Sequence, residues 1–334
     1  MMELDMTAGN PPETGAIMTG VVMDPIADIN IKKDSTFAML LEAQARGHIL
    51  YYMEPADLTV EDGEAIASMR VLNVNDDPND WYTLAAREVL PLQDLDIILM
   101  RRDPPFELDY IYLTYILELA ERAGVLVVNR PGALRDANEK FFISHFPQCC
   151  VPMVITRNAA DIRAFVSKNG KSVVKPLDGM GGDSIFQLHP GDQNTNVILE
   201  SITKNGTELV MAQQYIEEIS AGDKRILMIN GRPVPYALAR FPGAGDFRGN
   251  LAKGGHGEGV ALSDRDYWIC EQVGPELERR GILFAGLDVI GDWLSEVNVT
   301  SPTCIRELDA QYGLNIAGQM FDAVEGRLVG GRLK

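Results

Sequence analysis

The sequence predicts an α/β protein that begins with an open parallel sheet and continues into a second, differently patterned α/β region. Three observations carry this. Up to about residue 130, apolar strands alternate with helical patterns, as in a parallel sheet with crossover helices. From about residue 135, strands are joined through charged or glycine-rich connections such as Gly179-Met180-Gly181-Gly182. Near the end, GLDVIGDWLSEVNVTSPTCIR (286–306) reads as a hairpin holding Asp288, Glu296 and Asn298 within eleven positions. The expected divisions are a disordered tail (1–15), an N-terminal α/β domain (16–135), a middle subdomain (136–216) and a C-terminal one (217–334).

The tail combines Gly, Asn and a Pro pair with few large apolar groups, too little to offset the entropy of ordering it. A strand over 17–23 ends at the turn signal Asp24-Pro25. Asp34 or Ser35 can cap a helix that carries Phe37, Leu40 and Leu41 and closes at Gly47; a strand over 49–53 follows. The stretch around Asp76-Asp77-Pro78 reads as a polar interval. The buried-type strand over 96–101 runs into Arg101-Arg102, and a helix over 110–123 and a strand over 125–128 complete the alternation. Ligands in such sheets collect beyond the carboxyl ends of strands. Two places qualify, the Asp24–Asn30 loop and the arginine pair, which could hold a substrate carboxylate or form a solvated ion-pair cluster.

The 334 residues suggest two or three domains, and 46% hydrophobic residues suffice for a sizeable core. With 30 basic and 48 acidic residues the formal charge is −18, which argues against nucleic acid or an anionic membrane as the main partner. The N-terminus has acids where a signal peptide has basic residues, and no run approaches membrane-spanning length. Cys149, Cys150, Cys270 and Cys304 have neither zinc-site spacing nor the density of a disulfide scaffold. A reducing cytoplasm is the economical reading. His48, His145, His189 and His256 show no metal-ligand spacing.

In the second half, Lys140 lies at a helix start and Lys175 ends a strand over 171–175. The glycine loop after Lys175 leads to another strand, so its amides could wrap phosphate. It lacks the ending of a P-loop and does not open a helix; alone, such a loop is more often an ordinary turn. Strands are expected over 209–215, 225–229 and 233–240, a long functional loop over 241–259 with Arg248 and Lys253, and a helix over 264–280. In the hairpin, Glu296 and Asn298 share a strand face. Asp288 joins them if it lies opposite Glu296, which predicts a three-residue loop, Gly291 to Trp293, pairing Ile290 with Leu294. Three oxygen donors on one face suit a hard cation such as Mg²⁺, although an acidic solvent-facing hairpin would look the same. The inventory suits phosphoryl transfer, which depends on positioning and charge.

Seven ordered stretches, MDPIADINIKKDS (23–35), ILMRRDPPF (98–106), LRDANEK (134–140), KPLDGMGG (175–182), GDKR (222–225), RGNLAKGG (248–255) and EVNVTSPTCIRE (296–307), make the chain resemble the ATP-grasp superfamily and, within it, bacterial glutathione synthetases. The resemblance runs from about residue 17 to the C-terminus. It implies an ATP-grasp fold after the N-terminal domain, and a ligase that joins γ-glutamylcysteine and glycine through an acyl phosphate, releasing ADP and phosphate. It also implies that Lys140, Lys175 and the loop Gly179, Met180, Gly181 and Gly182 meet ATP phosphates. Gln213, Gln214, Tyr215 and Ile216 would border adenine, with Asp223 and Lys224 also on the nucleotide side. Asp288, Glu296 and Asn298 would hold two Mg²⁺ ions, for which Mn²⁺ could substitute. Arg225, Arg240, Arg248 and Asn298 would stabilise the reacting centre. Asn30, Arg101 and Ser301-Pro302-Thr303 are candidates for the substrate carboxylates. The resemblance further implies a tetramer of identical subunits. Two positions depart from the family pattern. Arg102 stands where it has Lys, changing hydrogen-bond geometry, and His256 stands where it has Arg, replacing a permanent cation with one that titrates near neutrality. The rivals are another ATP-grasp carboxylate–amine ligase and a non-catalytic ATP-binding regulator, which would be expected to lose a metal carboxylate or an arginine.

Overall fold

The computed structural model describes residues 15–179, 184–241 and 256–332. The tail up to residue 14, Met180, Gly181, Gly182, Arg248 and Lys253 lie outside the described residues.

Alternation of apolar residues builds the N-terminal sheet. The parallel strands β1 (Met18–Val22), β2 (Ile49–Met53), β6 (Ile97–Met100) and β7 (Leu126–Val128) form its centre in the order β2-β1-β6-β7. Both faces are covered, as parallel sheets require. Val21, Ile97 and Leu99 pack with Phe37 and Leu40 of α1 (Ser35–Ala45), whereas Val22, Ile98 and Met100 pack with Leu113 and Leu117 of α2 (Leu108–Arg122). Asp34 caps α1 by accepting a 2.6 Å hydrogen bond from the Phe37 amide.

The interval expected to be polar is instead three antiparallel strands, β3 (Leu58–Glu61), β4 (Glu64–Val74) and β5 (Tyr82–Pro91), which extend the sheet beyond β2. The open parallel sheet is therefore a parallel centre with an antiparallel flank. The inward side chains of β4 are Ala65, Ala67, Met69, Leu72 and Val74, but a register shift between Arg70 and Leu72 interrupts their alternation, and β5 is mostly exposed. That weak alternation hid the strands.

After α3 (Pro131–Asp136), a four-stranded antiparallel sheet has the order β10-β9-β11-β8, from β8 (Met153–Thr156), β9 (Ser172–Pro176), β10 (Phe186–Leu188) and β11 (Val210–Gln214). One face has its own small core with α4 (Ala159–Asn169) and α5 (Thr195–Ile202), formed by Ile162, Val166, Val174, Leu199 and Val210. Lys175 pairs with Met211 in register and so points from the other face.

The last sheet is antiparallel in the order β14-β13-β12-β15-β16, from β12 (Asp223–Ile229), β13 (Arg232–Phe241), β14 (His256–Ala261), β15 (Phe284–Ile290) and β16 (Trp293–Asn298). Helix α6 (Asp264–Arg280) covers one face, while α7 (Ile305–Tyr312) and α8 (Ile316–Arg332) cover part of the other. Residues 256–259, expected in a loop, belong to β14. The glycines there reflect close packing: a Cβ on Gly259 would come within 2.3 Å of the Tyr312 ring. Gly274 in α6 is tighter still, since a Cβ would lie 2.2 Å from the Gly231 carbonyl oxygen. We expect Gly274→Ala to cost about 1–3 kcal/mol through overpacking. Denaturant unfolding checks this, and an unchanged midpoint would show that α6 can shift freely.

Candidate active site

Alternation places Asp223, Arg225, Leu227 and Ile229 on one face of β12. Registers Arg225 to Asp288 and Asp223 to Arg240 put all four charged groups on that face. The face is apolar where α7 and α8 cover it, at Leu227, Ile229 and Phe284, and charged at its other end. Asp288 lies opposite Glu296, and Asn298 is two residues further along β16. The hairpin loop is not the expected three residues. Ile290 pairs with Trp293 and Val289 with Leu294, leaving Gly291-Asp292 as the loop and Ser295 as a bulge between Leu294 and Glu296. A two-residue loop alone would set Asp288 against Ser295; the extra bulge residue restores Glu296 to that place. Gly291 has φ 55°, the left-handed conformation such a tight loop demands. The Ser295 hydroxyl donates to the Asp288 carbonyl at 3.0 Å.

Asp288 is buried and gripped by two arginines. Arg225 donates from Nε to Oδ1 and from Nη2 to Oδ2, the second at 2.9 Å, and Arg240 Nη2 lies 2.9 Å from Oδ2. Burial alone would raise the Asp288 carboxyl; Arg225 and then Arg240 outweigh it and hold it well below the usual carboxylate range. Arg240 also forks onto Asp223. The Asn298 side-chain amide approaches Asp288 Oδ2 at 3.3 Å.

Across from this face stand the two lysines, 3% and 5% exposed. Lys140 donates to Glu139 and to the Gly179 carbonyl and lies 3.6 Å from Glu296; Lys175 lies 3.7 Å from Glu296 and 3.5 Å from the Ser295 carbonyl. Burial pushes Lys175 down. Lys140 meets the same penalty, but Glu296 and Glu139 outweigh it and hold it above its ordinary value. A buried lysine pair set across from two arginines of the last sheet is costly unless a strongly anionic group is shared among them.

Other expected residues distribute unevenly. Lys224 points to the opposite face of β12, where both carboxylate oxygens of Asp266 bind it at 2.5 and 2.7 Å. Gln213 is buried with its Nε2 lacking a protein partner, and Tyr215 carries Lys171 Nζ 3.4 Å from its ring centroid. Gln214 ends β11, and Ile216 is buried just beyond it. Arg101 is 6% exposed, donating from Nε to Thr36 Oγ1 and from Nη2 to the Pro302 carbonyl, both at 3.0 Å. Ser301 donates to Asp103, Thr303 is exposed, and Asn30 is exposed with Oδ1 accepting from the Lys32 amide. Arg102 pairs with Asp109 at 2.8 Å.

Two side chains beside the site were not singled out from the sequence. The Glu139 carbonyl accepts from the Val297 amide at 2.9 Å, which fastens the lysine segment to β16. Asn138 donates to the Leu177 carbonyl at 2.9 Å and accepts from the amides of Lys140 and Phe141. The signal available was their place beside Lys140.

Two lysines, an arginine-clamped aspartate and a carboxylate–amide edge lie between antiparallel sheets, the layout of an ATP-grasp fold. The fold agrees with solved structures. The D-cycloserine synthetase DcsG superposes with a TM-score of 0.67 at 14% identity, covering 93% of this chain and 99% of that one. A RimK-domain ATP-grasp protein from Sphaerobacter thermophilus gives 0.60 at 16% identity, covering 91% and 98%. Family models then separate it from other ATP-grasp proteins: residues 17–135 match the N-terminal domain of prokaryotic glutathione synthetase and residues 139–313 its ATP-grasp domain. The chain belongs to the prokaryotic glutathione synthetase family and is an ATP-dependent ligase. It is 58% identical to the glutathione synthetase of Xanthomonas campestris pv. campestris, over 91% of this chain and 96% of that one, and 54% identical to that of Coxiella burnetii, over 92% and 96%.

Proposed function

We propose that the protein joins γ-glutamylcysteine to glycine at the expense of ATP. The observation that carries this is the convergence of Lys140, Lys175, Arg225, Arg240, Asp288, Glu296 and Asn298 between two sheets. The cysteinyl carboxylate attacks the γ-phosphorus of ATP, forming an acyl phosphate and releasing ADP. The glycine amine then attacks the acyl carbon, and the tetrahedral species expels phosphate. Lys140 and Lys175 bind phosphate oxygens. Arg225 and Arg240, oriented by Asp288 and Asp223, face the charge that develops on the acyl oxygen. Burial of both lysines and both arginines excludes water that would hydrolyse the acyl phosphate.

Asp288, Glu296 and Asn298 present hard oxygen donors on one face and fit Mg²⁺ or Mn²⁺. Asp288, Glu296 and Asn298 would hold such an ion from one face of the β15–β16 hairpin. Such ions supply charge neutralisation on those oxygens. The residues from Gln213 to Ile216 border adenine, with the orphaned Gln213 Nε2 available to it. Gly179 to Gly182, Arg248, Asp223 and Lys224 complete the proposed nucleotide and acyl-phosphate contacts, Asp223 through Arg240 and Lys224 through Asp266. The Ser301–Thr303 loop and Asn30 receive substrate carboxylates. Arg101 supports that loop, since its hydrogen bonds to Thr36 and Pro302 engage it. Among the described residues no helix is long and apolar enough to cross a membrane. We propose a cytoplasmic homotetramer. An exposed stripe on α2, with Leu108 60%, Tyr112 54% and Tyr115 50% exposed, supports self-association.

Phosphate release with ATP and Mg²⁺, with each acceptor added alone and both together, tests the activity. We expect sustained release only when γ-glutamylcysteine and glycine are both present. Release indifferent to glycine would overturn the proposal, and dependence on a different amine or dipeptide would mark another carboxylate–amine ligase.

A further inference from the structure

Asn129 follows β7 and has no part in the chemistry above. It is 4% exposed, and an asparagine that deep must satisfy two donors and an acceptor with two lone pairs. It satisfies all of them. Nδ2 donates to the Phe284 and Val299 carbonyls, each at 2.7 Å, and Oδ1 accepts from the Leu283 and Phe284 amides at 2.8 and 2.9 Å.

The placement of these partners matters more than their number. The β15–β16 ladder ends where Gly286 meets Asn298. Phe284 lies two residues before that end on β15, and Val299 directly follows the last residue of β16. Asn129 thus spans the next rung, where backbone pairing has stopped, and fixes the point at which the chain leaves Asn298. Arg101, at the end of the neighbouring strand β6, holds the Pro302 carbonyl from the same sheet edge. Arg101, Asn129, Phe284 and Thr300 line one small pocket beside the two contacts. The carboxyl edge of a parallel sheet, where ligands usually collect, here grips residues 299–302.

We propose that Asn129 is a positioning residue that sets the acceptor loop Ser301–Thr303 against Asn298, so that the glycine amine and the acyl carbon meet in one geometry. This rests on the proposed ligase reaction. Asn129→Asp keeps the shape but loses both donors and sets an oxygen against two carbonyls. The test measures phosphate released and peptide bond formed in parallel, at varied glycine and varied ATP. For the variant we expect the glycine KM to rise about tenfold, phosphate released per peptide bond to climb from one to two or more, and the ATP KM to stay within twofold. Asn129→Ser, which keeps one donor and one acceptor, serves if the aspartate variant does not fold, with the same pattern at smaller amplitude. Activity that falls only in step with the folded fraction, with glycine KM and coupling unchanged, overturns the proposal. Failure of both variants to fold also overturns it, because the role would then be structural. Absence of glycine-dependent release in the wild-type enzyme would instead sink the ligase reading itself, so the two failures are distinguishable.

Discussion

Glu296→Gln is expected to lower kcat by about a thousandfold while leaving the fold intact. The substitution keeps size and hydrogen-bonding capacity and removes one negative charge. Glu296 lies within 4 Å of both lysines, and its approaches, 3.6 and 3.7 Å, are looser than a hydrogen-bonded pair. Its side chain is 21% exposed, but the lysine side chains it faces are only 4% and 6% exposed, so the fold should persist with a stability loss of about 1–3 kcal/mol. If Glu296 has the proposed role of holding charge around the transferring phosphoryl group, its loss costs roughly 4 kcal/mol of transition-state stabilisation, on the order of a thousandfold in rate. Steady-state turnover at saturating ATP and Mg²⁺, read beside a thermal melt, decides the matter. Turnover within tenfold of wild type would remove Glu296 from the metal edge.

Arg225→Met should lose both activity and stability, and the contrast is informative. Arg225 is 8% exposed and makes both of its hydrogen bonds to Asp288, which is 4% exposed. Methionine fills the space but leaves Asp288 with Arg240 alone. Breaking a buried pair from one side costs about 3–5 kcal/mol; the remaining arginine favours the lower end. A domain of ordinary stability survives that. Loss of a charge donor at the proposed reacting centre adds a roughly 10²- to 10³-fold fall in kcat. Denaturant unfolding and kcat measured on the same preparation separate the two effects. An Arg225→Met enzyme with normal stability would mean that the Asp288 pair is not the anchor of the sheet face.

Strong periodicity made most of the fold legible. The strand 49–53 and the helix 264–280 lie where the apolar spacing and caps put them. The β3–β5 flank was not legible, because a register shift between Arg70 and Leu72 breaks the alternation of β4 and its outer strand is mostly exposed. The pairing of Asp288 with Glu296 followed from side-chain alternation, yet the route to it did not: nothing in DVIGDWLSEVN marks Ser295 as a bulge, since bulges depend on twist and neighbouring strands. Pairings across sheets were equally hidden. Lys224 and Arg225 are adjacent cations in sequence, and only the pleat sends one to Asp266 and the other to Asp288. Asn129 and Arg101 were set at strand ends by the sequence, but their partners lie more than 150 positions away.

The Ser295 bulge has a consequence for how this site can change. The side-chain period of a strand is two, so the hairpin carries a parity. The loop contributes two residues and the bulge one, and their sum is what sets Glu296 and Asn298 on the face of Asp288. Gain or loss of a single residue between Val289 and Ser295 would turn both side chains toward α6 and away from the lysines, even with every residue of the site still encoded. A pair of changes of equal parity would restore them. Length, more than identity, is therefore the inheritable constraint on this stretch.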